Sequence, residues 1–273
     1  MQNTALETWS ERAPAWRRWQ HEFAAHYAGA TALAVRAARP APGARALDLA
    51  CATGDLTLAL AGAVAPGGSV AAVDLAPAML AGAAERLRRA ACTNVRLQQA
   101  DAQALPFADS VFDAVVCRLA ITLFPDPARA LLECRRVLKP GGRLAVLSWG
   151  PPQRNTLFAV RTLLANHAAP VAAGLPDALR YARPGALAAA FRAAGFTGIR
   201  ESEHTLPFPW PGGPEQAWQG LFELQPDVQR LFAGVAPAQR AAAQSRVLQS
   251  IASQYDGRQV NFTGVVMLGT GEA

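Results

Sequence analysis

Lysine occurs once in this chain, at Lys139, although 26 of its 273 residues carry a basic side chain. The remaining positive charge is arginine, scattered so that no run exceeds two residues. A net charge of +6 without a concentrated basic patch does not make a nucleic-acid footprint, so no nucleic-acid partner is expected. Cysteine is scarce as well. Cys51, Cys92, Cys117 and Cys134 contain no C-x-x-C pair, which excludes the common zinc motifs and a disulfide framework. The histidines His21, His26, His167 and His204 do not cluster with acids, so no metal centre is expected. No apolar run approaches the roughly 20 residues that span a bilayer. The first residues are polar and rich in Trp and Arg, unlike a signal peptide. The expectation is a cytoplasmic protein with reduced thiols and no membrane insertion. A hydrophobic content of 51% against 17% charge excludes a disordered chain, and the length suits one α/β domain with additions.

What the chain does have is concentrated between Ala44 and Leu75. Ala46 to Cys51 is apolar apart from Asp48, as in a buried parallel strand. Ala50 to Gly54 are small, so a ligand can approach the backbone. From Asp55, apolar residues recur at helical spacing until Pro66-Gly67-Gly68 breaks the pattern. A second apolar strand then ends on Asp74, followed by Leu75. A small-residue loop that opens a helix offers free N–H groups to an anion, and an acid ending the next strand can accept ribose hydroxyls. The unit reads as a site for an adenosine-bearing ligand. The Gly-x-Gly-x-x-Gly fingerprint of dinucleotide sites is absent, because Ala50-Cys-Ala-Thr-Gly54 keeps one glycine in another frame.

Asp48, Ala50, Ala52 and Gly54 instead match motif I of the class I S-adenosylmethionine (SAM) methyltransferases. The match continues through Asp74, Asp101-Ala-Gln-Ala-Leu-Pro-Phe107, Val111 to Cys117, Phe124-Pro-Asp-Pro127 and Arg136 to Gly150. Over residues 40–150 the chain resembles the ubiquinone/menaquinone-biosynthesis-like small-molecule methyltransferases. That resemblance implies a doubly wound, mostly parallel seven-stranded sheet of Rossmann-like methyltransferase type. It also implies SAM as cofactor and transfer of its methyl to O, C or N of a small apolar or aromatic acceptor. Where this chain has Ala52, and often where it has Ala50, the family has glycine. A positive φ at either alanine would cost about 1 kcal/mol.

The periodicity along the chain predicts strands at 95–100, 112–117 and 143–149, and helices from Pro77 to about Ala90 and from Pro127. Residues 1–39 read as helical, interrupted at Pro14, either an amphipathic segment packed on the core or an N-terminal cap, or both; residues 40–206 as the SAM-binding core. Residues 207–257 read as a helical lid inserted before a last core strand within 258–273. The cofactor would contact Asp48, Ala50, Ala52, Gly54, Asp74, Leu75, Asp101, Ala102 and Arg118. Asp74 would take the ribose hydroxyls, and Asp101 with the Ala102 N–H would take adenine. Arg118 suits either a cofactor carboxylate or a salt bridge across the sheet end. The acceptor would meet Trp9, Trp16, Leu119, Thr122, Trp149 and Trp218. His167 is the candidate base, since the segment after the fifth strand lines the acceptor pocket in similar enzymes. Three rivals compete: a non-catalytic SAM-fold regulatory protein, which would bind cofactor without consuming it; an NAD(P)-dependent oxidoreductase, which would bind NADH; and an enzyme that uses the same cofactor for a non-methyl reaction. A homodimer stays open.

Overall fold

The computed structural model describes residues 2–166 and 178–273. In chain order the elements are α1 (Gln2–Arg18), α2 (Gln20–His26), α3 (Ala28–Ala38), β1 (Arg45–Leu49), α4 (Asp55–Ala63), β2 (Ser69–Asp74), α5 (Pro77–Arg89), β3 (Val95–Gln99) and β4 (Phe112–Arg118). They continue as α6 (Pro127–Val137), β5 (Leu138–Trp149), α7 (Thr156–Ala165), α8 (Ala186–Ala193), β6 (Thr197–Pro211), α9 (Pro214–Leu224), α10 (Pro226–Ala233), α11 (Arg240–Ala252) and β7 (Gln259–Glu272). One seven-stranded sheet has the order β3-β2-β1-β4-β5-β7-β6. The first five strands run parallel, and β7 lies antiparallel to both β5 and β6. The order reverses at β1/β4, so the crevice between their carboxyl ends is the expected ligand site.

Strand alternation divides the core into two layers. Ala46, Val116, Ala145 and Val266 face one layer, and their chain neighbours Leu47, Cys117, Val146 and Met267 face the other. On the first face the sheet presents small side chains, Ala46, Ala114 and Ala145, to the equally small Ala30, Ala34 and Ala38 of α3. Small against small lets this helix lie close to the sheet. α3 is thus part of the core. Of the segment expected as a cap, only α1 lies mostly outside this layer, touching it through Trp16, because Trp19, Phe23 and Tyr27 around α2 are buried in it as well.

Three boundaries differ from expectation. α1 runs through Pro14, and the chain turns instead at Trp19 and Tyr27. Pro14 is exposed, so the Ser10 carbonyl it leaves unbonded can be hydrated, while Ala13 packs inward. β6 continues to Pro211 rather than ending near Leu206, despite prolines at 207, 209 and 211. These pair with Thr263, Asn261 and Gln259, all in one phase of the ladder, on the strand at the sheet edge. Their missing N–H groups therefore face away from β7, where proline costs no sheet bond. α2 covers that edge, with His26 donating from Nδ1 to the Pro209 carbonyl at 3.3 Å. The helices before β7 accordingly begin at Pro214, later than the expected start of the lid at 207.

Candidate cofactor and acceptor site

The loop between β1 and α4 lies at the reversal point, and its conformation is built by the acids around it. Gly54 adopts φ 79° and approaches α5 so closely that a Cβ there would lie 3.1 Å from that of Ala83. Ala50 and Ala52 also take positive φ, 60° and 46°. The left-handed strain raised by the sequence is therefore present at both alanines. Asp74 holds the loop in this shape. One carboxylate oxygen accepts from the Ala52 N–H at 2.9 Å, the other from the Ala76 N–H at 3.0 Å. Burial pushes the Asp74 carboxyl above its usual range, against the pull of these amides. Each oxygen keeps a further lone pair for a ligand hydroxyl.

Asp48 lies beneath the loop. Its Oδ2 accepts from the Thr57 hydroxyl at 2.6 Å, while Oδ1 is buried without a partner. Burial raises its pKa to about 7, opposed by the Thr57 hydrogen bond and by Arg118. The Thr53 hydroxyl is likewise buried and unpartnered. Unsatisfied buried polar atoms are costly, and one in the loop and another on the strand beneath it suit a polar ligand. Asp101 turns on itself, accepting from the Gln103 backbone at 2.9 Å and from its side-chain amide. Ala102 is buried beside it, and the Leu75 carbonyl accepts from Gln99.

Arg118 differs from the expected cofactor contact. Its guanidinium forms a fully buried two-pronged ion pair with Asp55 and donates to the Thr31 hydroxyl of α3. The rings of Tyr27 and Phe23 lie over it, 5.3 and 5.8 Å from the guanidinium carbon. Burial alone would raise the Asp55 carboxyl, but Arg118 more than offsets that and holds it low. The salt-bridge reading is the one the geometry bears out. Asp55 was legible as the acid directly after Gly54, but its partner was not.

Expected acceptor residues are brought together in part. Trp9 meets Trp16 edge-on at 6.1 Å, and Trp16 meets Phe23 at 4.3 Å. The rings continue through Tyr27 to Trp149, and from there to Phe158 and Phe208. The result is a continuous aromatic wall ending at the carboxyl end of β5, in which Phe23, Tyr27, Phe158 and Phe208 are buried and Trp9, Trp16 and Trp149 are half-buried. Leu6, Trp9 and Trp16 of α1 also pack with Ala52, Ala76 and Met79, so α1 lies across the cofactor loop. Glu223 of α9 accepts from both Arg18 and Trp19, joining the N-terminal helices to the insertion. Leu119 has φ 60° and packs at the margin of the same layer, and Thr122 is buried. Trp218 instead forms a separate cluster with Phe222 and Phe232. His167 lies outside the described residues. Tyr27, Phe158 and Phe208 were missed as wall residues, since nothing in local sequence relates α2, α7 and β6.

Among the described residues no cluster of three His, Cys, Asp or Glu could hold a metal. No helix there is long and apolar enough to cross a membrane.

The family model described as the ubiE/COQ5 methyltransferase family matches residues 22–175. A demethylmenaquinone methyltransferase of Thermus thermophilus is 41% identical over 165 residues, covering 56% of this chain and 74% of that protein. The ubiquinone/menaquinone biosynthesis C-methyltransferase UbiE of Teredinibacter turnerae is 42% identical over 117 residues, covering 42% of this chain but only 47% of its own length. Among solved structures, the YcgJ protein of Bacillus subtilis aligns with a TM-score of 0.58 at 21% identity, over 89% of this chain and 97% of that one. The [4+2]-cyclase SpnF aligns with a TM-score of 0.54 at 22% identity, over 89% of this chain and 79% of that one. Likenesses at this identity speak for the fold alone.

Proposed function

The chain belongs to the ubiE/COQ5 methyltransferase family and is a SAM-dependent methyltransferase acting on a small molecule; from that premise, we propose that its acceptor is a planar hydroxylated aromatic ring, methylated at carbon. The observation that carries this reading is the aromatic wall from Trp16 through Phe23 and Tyr27 to Trp149 and Phe158. Flat rings favour a flat, apolar guest, which they orient by offset stacking and edge contacts. The named activities of the relatives, on demethylmenaquinone and at carbon, agree with this class.

In this proposal Asp74 binds the ribose hydroxyls, and Asp101 with the Ala102 N–H binds adenine. Asp48, Thr53 and the backbone of Ala50 to Gly54 hold the methionyl part. The unpartnered Asp48 Oδ1 and Thr53 hydroxyl support that fit, since a cationic amino group would satisfy both. The cofactor, when bound, supplies a methyl group already activated on a sulfonium. The protein's share is then to align the acceptor carbon with that methyl, by Trp149 and its neighbours, and to exclude water with α1. Burial of the ring raises the nucleophilicity of an ionised hydroxyl by stripping its water, and Arg161, stacked 4.4 Å over Phe158 and ion-paired with Asp227, flanks the wall.

Arginines dispersed along the chain, with no run longer than two, support a small-molecule partner over nucleic acid. Only Leu132 and Tyr255 are large apolar side chains exposed among the described residues, which gives a homodimer little area to bury. Four free cysteines support a reducing, cytoplasmic setting. The test is turnover of methyl-labelled SAM with a demethylmenaquinol analogue of short side chain, with the product mapped by mass spectrometry. A labelled ring carbon is expected. Label on oxygen alone, or no product while a non-aromatic amine is methylated, overturns the reading.

A further inference from the structure

Two arginines of the core grip the residues on either side of Gly54, and each also grips the N-terminal helices. Arg86 of α5 donates from Nε to the Thr53 carbonyl at 2.8 Å and from Nη2 to the Gln20 carbonyl at 2.8 Å. Gln20 is the first residue of α2, directly after the turn at Trp19 that ends α1. Arg118 binds the Asp55 carboxylate with both terminal nitrogens, donates to Thr31 of α3 and lies under the Phe23 and Tyr27 rings. Thus Thr53 and Asp55, the two neighbours of the loop glycine, are each tied through one rigid guanidinium to the N-terminal helices, Thr53 to the start of α2 and Asp55 to α3. Close packing completes the link. A Cβ on Gly82 would lie 3.0 Å from the Thr53 methyl and 3.1 Å from Cγ of Arg17, so loop, α5 and α1 meet there without slack.

We infer that Arg86 and Arg118 are positioning residues that couple the shape of the 50–55 loop to the packing of α2 and α3 beside it, and through α2 to the seating of α1 over it. A guanidinium is planar, with its donors in a fixed fork, so a shift of one acceptor moves the geometry offered to the other. When the loop is set by a bound cofactor, both forks are held in the orientation that receives Gln20 and Thr31, and α1, joined to Gln20 through the turn at Trp19, is seated on the loop. The coupling is reciprocal, so a seated cover also tightens the cofactor site. Neither arginine need touch the cofactor or the acceptor. The inference rests on the cofactor lying at this loop, as proposed above.

The experiment is amide hydrogen exchange on the full chain, with and without S-adenosylhomocysteine, together with steady-state kinetics. In the unaltered protein the ligand should slow exchange at residues 50–54 and 74–76, and also at residues 6–27 by about tenfold, a typical coupling. In Arg86→Met, protection at 50–54 and 74–76 should persist, that at 6–27 should be lost, and kcat should fall by more than KM for SAM rises. Arg86→Lys reaches only one of the two carbonyls and should not restore the protection at 6–27. Thr31→Val, which trims only the α3 side of the second link and keeps the buried ion pair, provides a variant that folds if Arg86→Met does not. It should reduce protection at 6–27 without changing that of the loop. Protection at 6–27 equal to the unaltered protein in these variants overturns the coupling. Absence of protection at 50–54 and 74–76 in the unaltered protein instead overturns the placement of the cofactor.

Discussion

Asp74→Asn separates a loop anchor from a ribose ligand. The carboxylate accepts from the Ala52 and Ala76 amides at 2.9 and 3.0 Å and is buried, so the substitution has a cost before any ligand arrives. The asparagine carbonyl can keep one amide, but its NH2 must face the other, leaving a buried N–H unpaired. That costs about 1–3 kcal/mol of stability. Ribose hydroxyls donating to a charged acceptor are worth about 1.5–3 kcal/mol, so the dissociation constant for S-adenosylhomocysteine should rise roughly 10- to 150-fold. A distorted loop could weaken binding by itself. The discriminating assay is therefore a cycle of two proteins and two ligands, in which calorimetry compares S-adenosylhomocysteine with its 2′-deoxy analogue. If Asp74 receives the hydroxyl, loss of the 2′-OH weakens binding to the unaltered protein and much less to Asp74→Asn. Equal losses in both, with both proteins folded by circular dichroism, refute the ribose assignment and leave Asp74 as an anchor of the loop alone.

The strain at Ala52 makes Ala52→Gly stabilising by about 0.5–1 kcal/mol in thermal or urea melts, and a destabilised variant would show that its methyl contact with α1 outweighs the φ of 46°. Burial lowers the His26 pKa to about 4, so the folded state refuses a proton that the unfolded chain accepts near 6.5. Its contribution is complete above pH 6.5 and falls by about 3 kcal/mol as pH drops to 4. Asp48, raised to about 7, acts in the opposite sense, since the folded state keeps a proton that the unfolded chain has lost, and stability falls as pH rises from about 4 to 7. The two slopes largely cancel between pH 4 and 6.5. His26→Phe should expose a stability that declines with rising pH there, Asp48→Asn one that declines with falling pH, and urea titrations showing the same profile for both variants would contradict both assignments. Binding of S-adenosylhomocysteine should release protons near pH 7 as its amino group draws Asp48 into the charged form, and calorimetry in two buffers of different ionisation enthalpy measures this; no buffer dependence counts against the contact. Removal of residues 1–15 should leave the fold intact, raise KM for SAM and lower kcat, because α1 covers the loop without completing the sheet; full activity would show that α1 is no cover. A longer truncation through residue 27 should unfold the protein, since Trp19, Phe23 and His26 are buried in the core.

Local chemistry determined much of this protein. The apolar strand ending in small residues, the acid closing the next strand, and prolines and glycines between them mark the order of elements from 44 to 150, because each signal acts within a few residues of chain. The same range carried Asp48, Gly54 and Asp74 as candidate site residues, and the fold gathers them around the loop at the reversal point. The prolines of 207–211 misled for a related reason. Proline signals a break unless the strand lies at an edge and the ring falls in the outward phase, and both conditions depend on a partner strand some fifty residues away. Tertiary structure alone decided the fate of Arg118, whose charge needed Asp55 from another element, and the union of Tyr27, Trp149, Phe158 and Phe208 into one wall. It also set positive φ at Ala50 and Ala52, where alanine would not choose it: Asp74 captures the Ala52 amide, and the closely packed loop keeps a conformation that local preference disfavours.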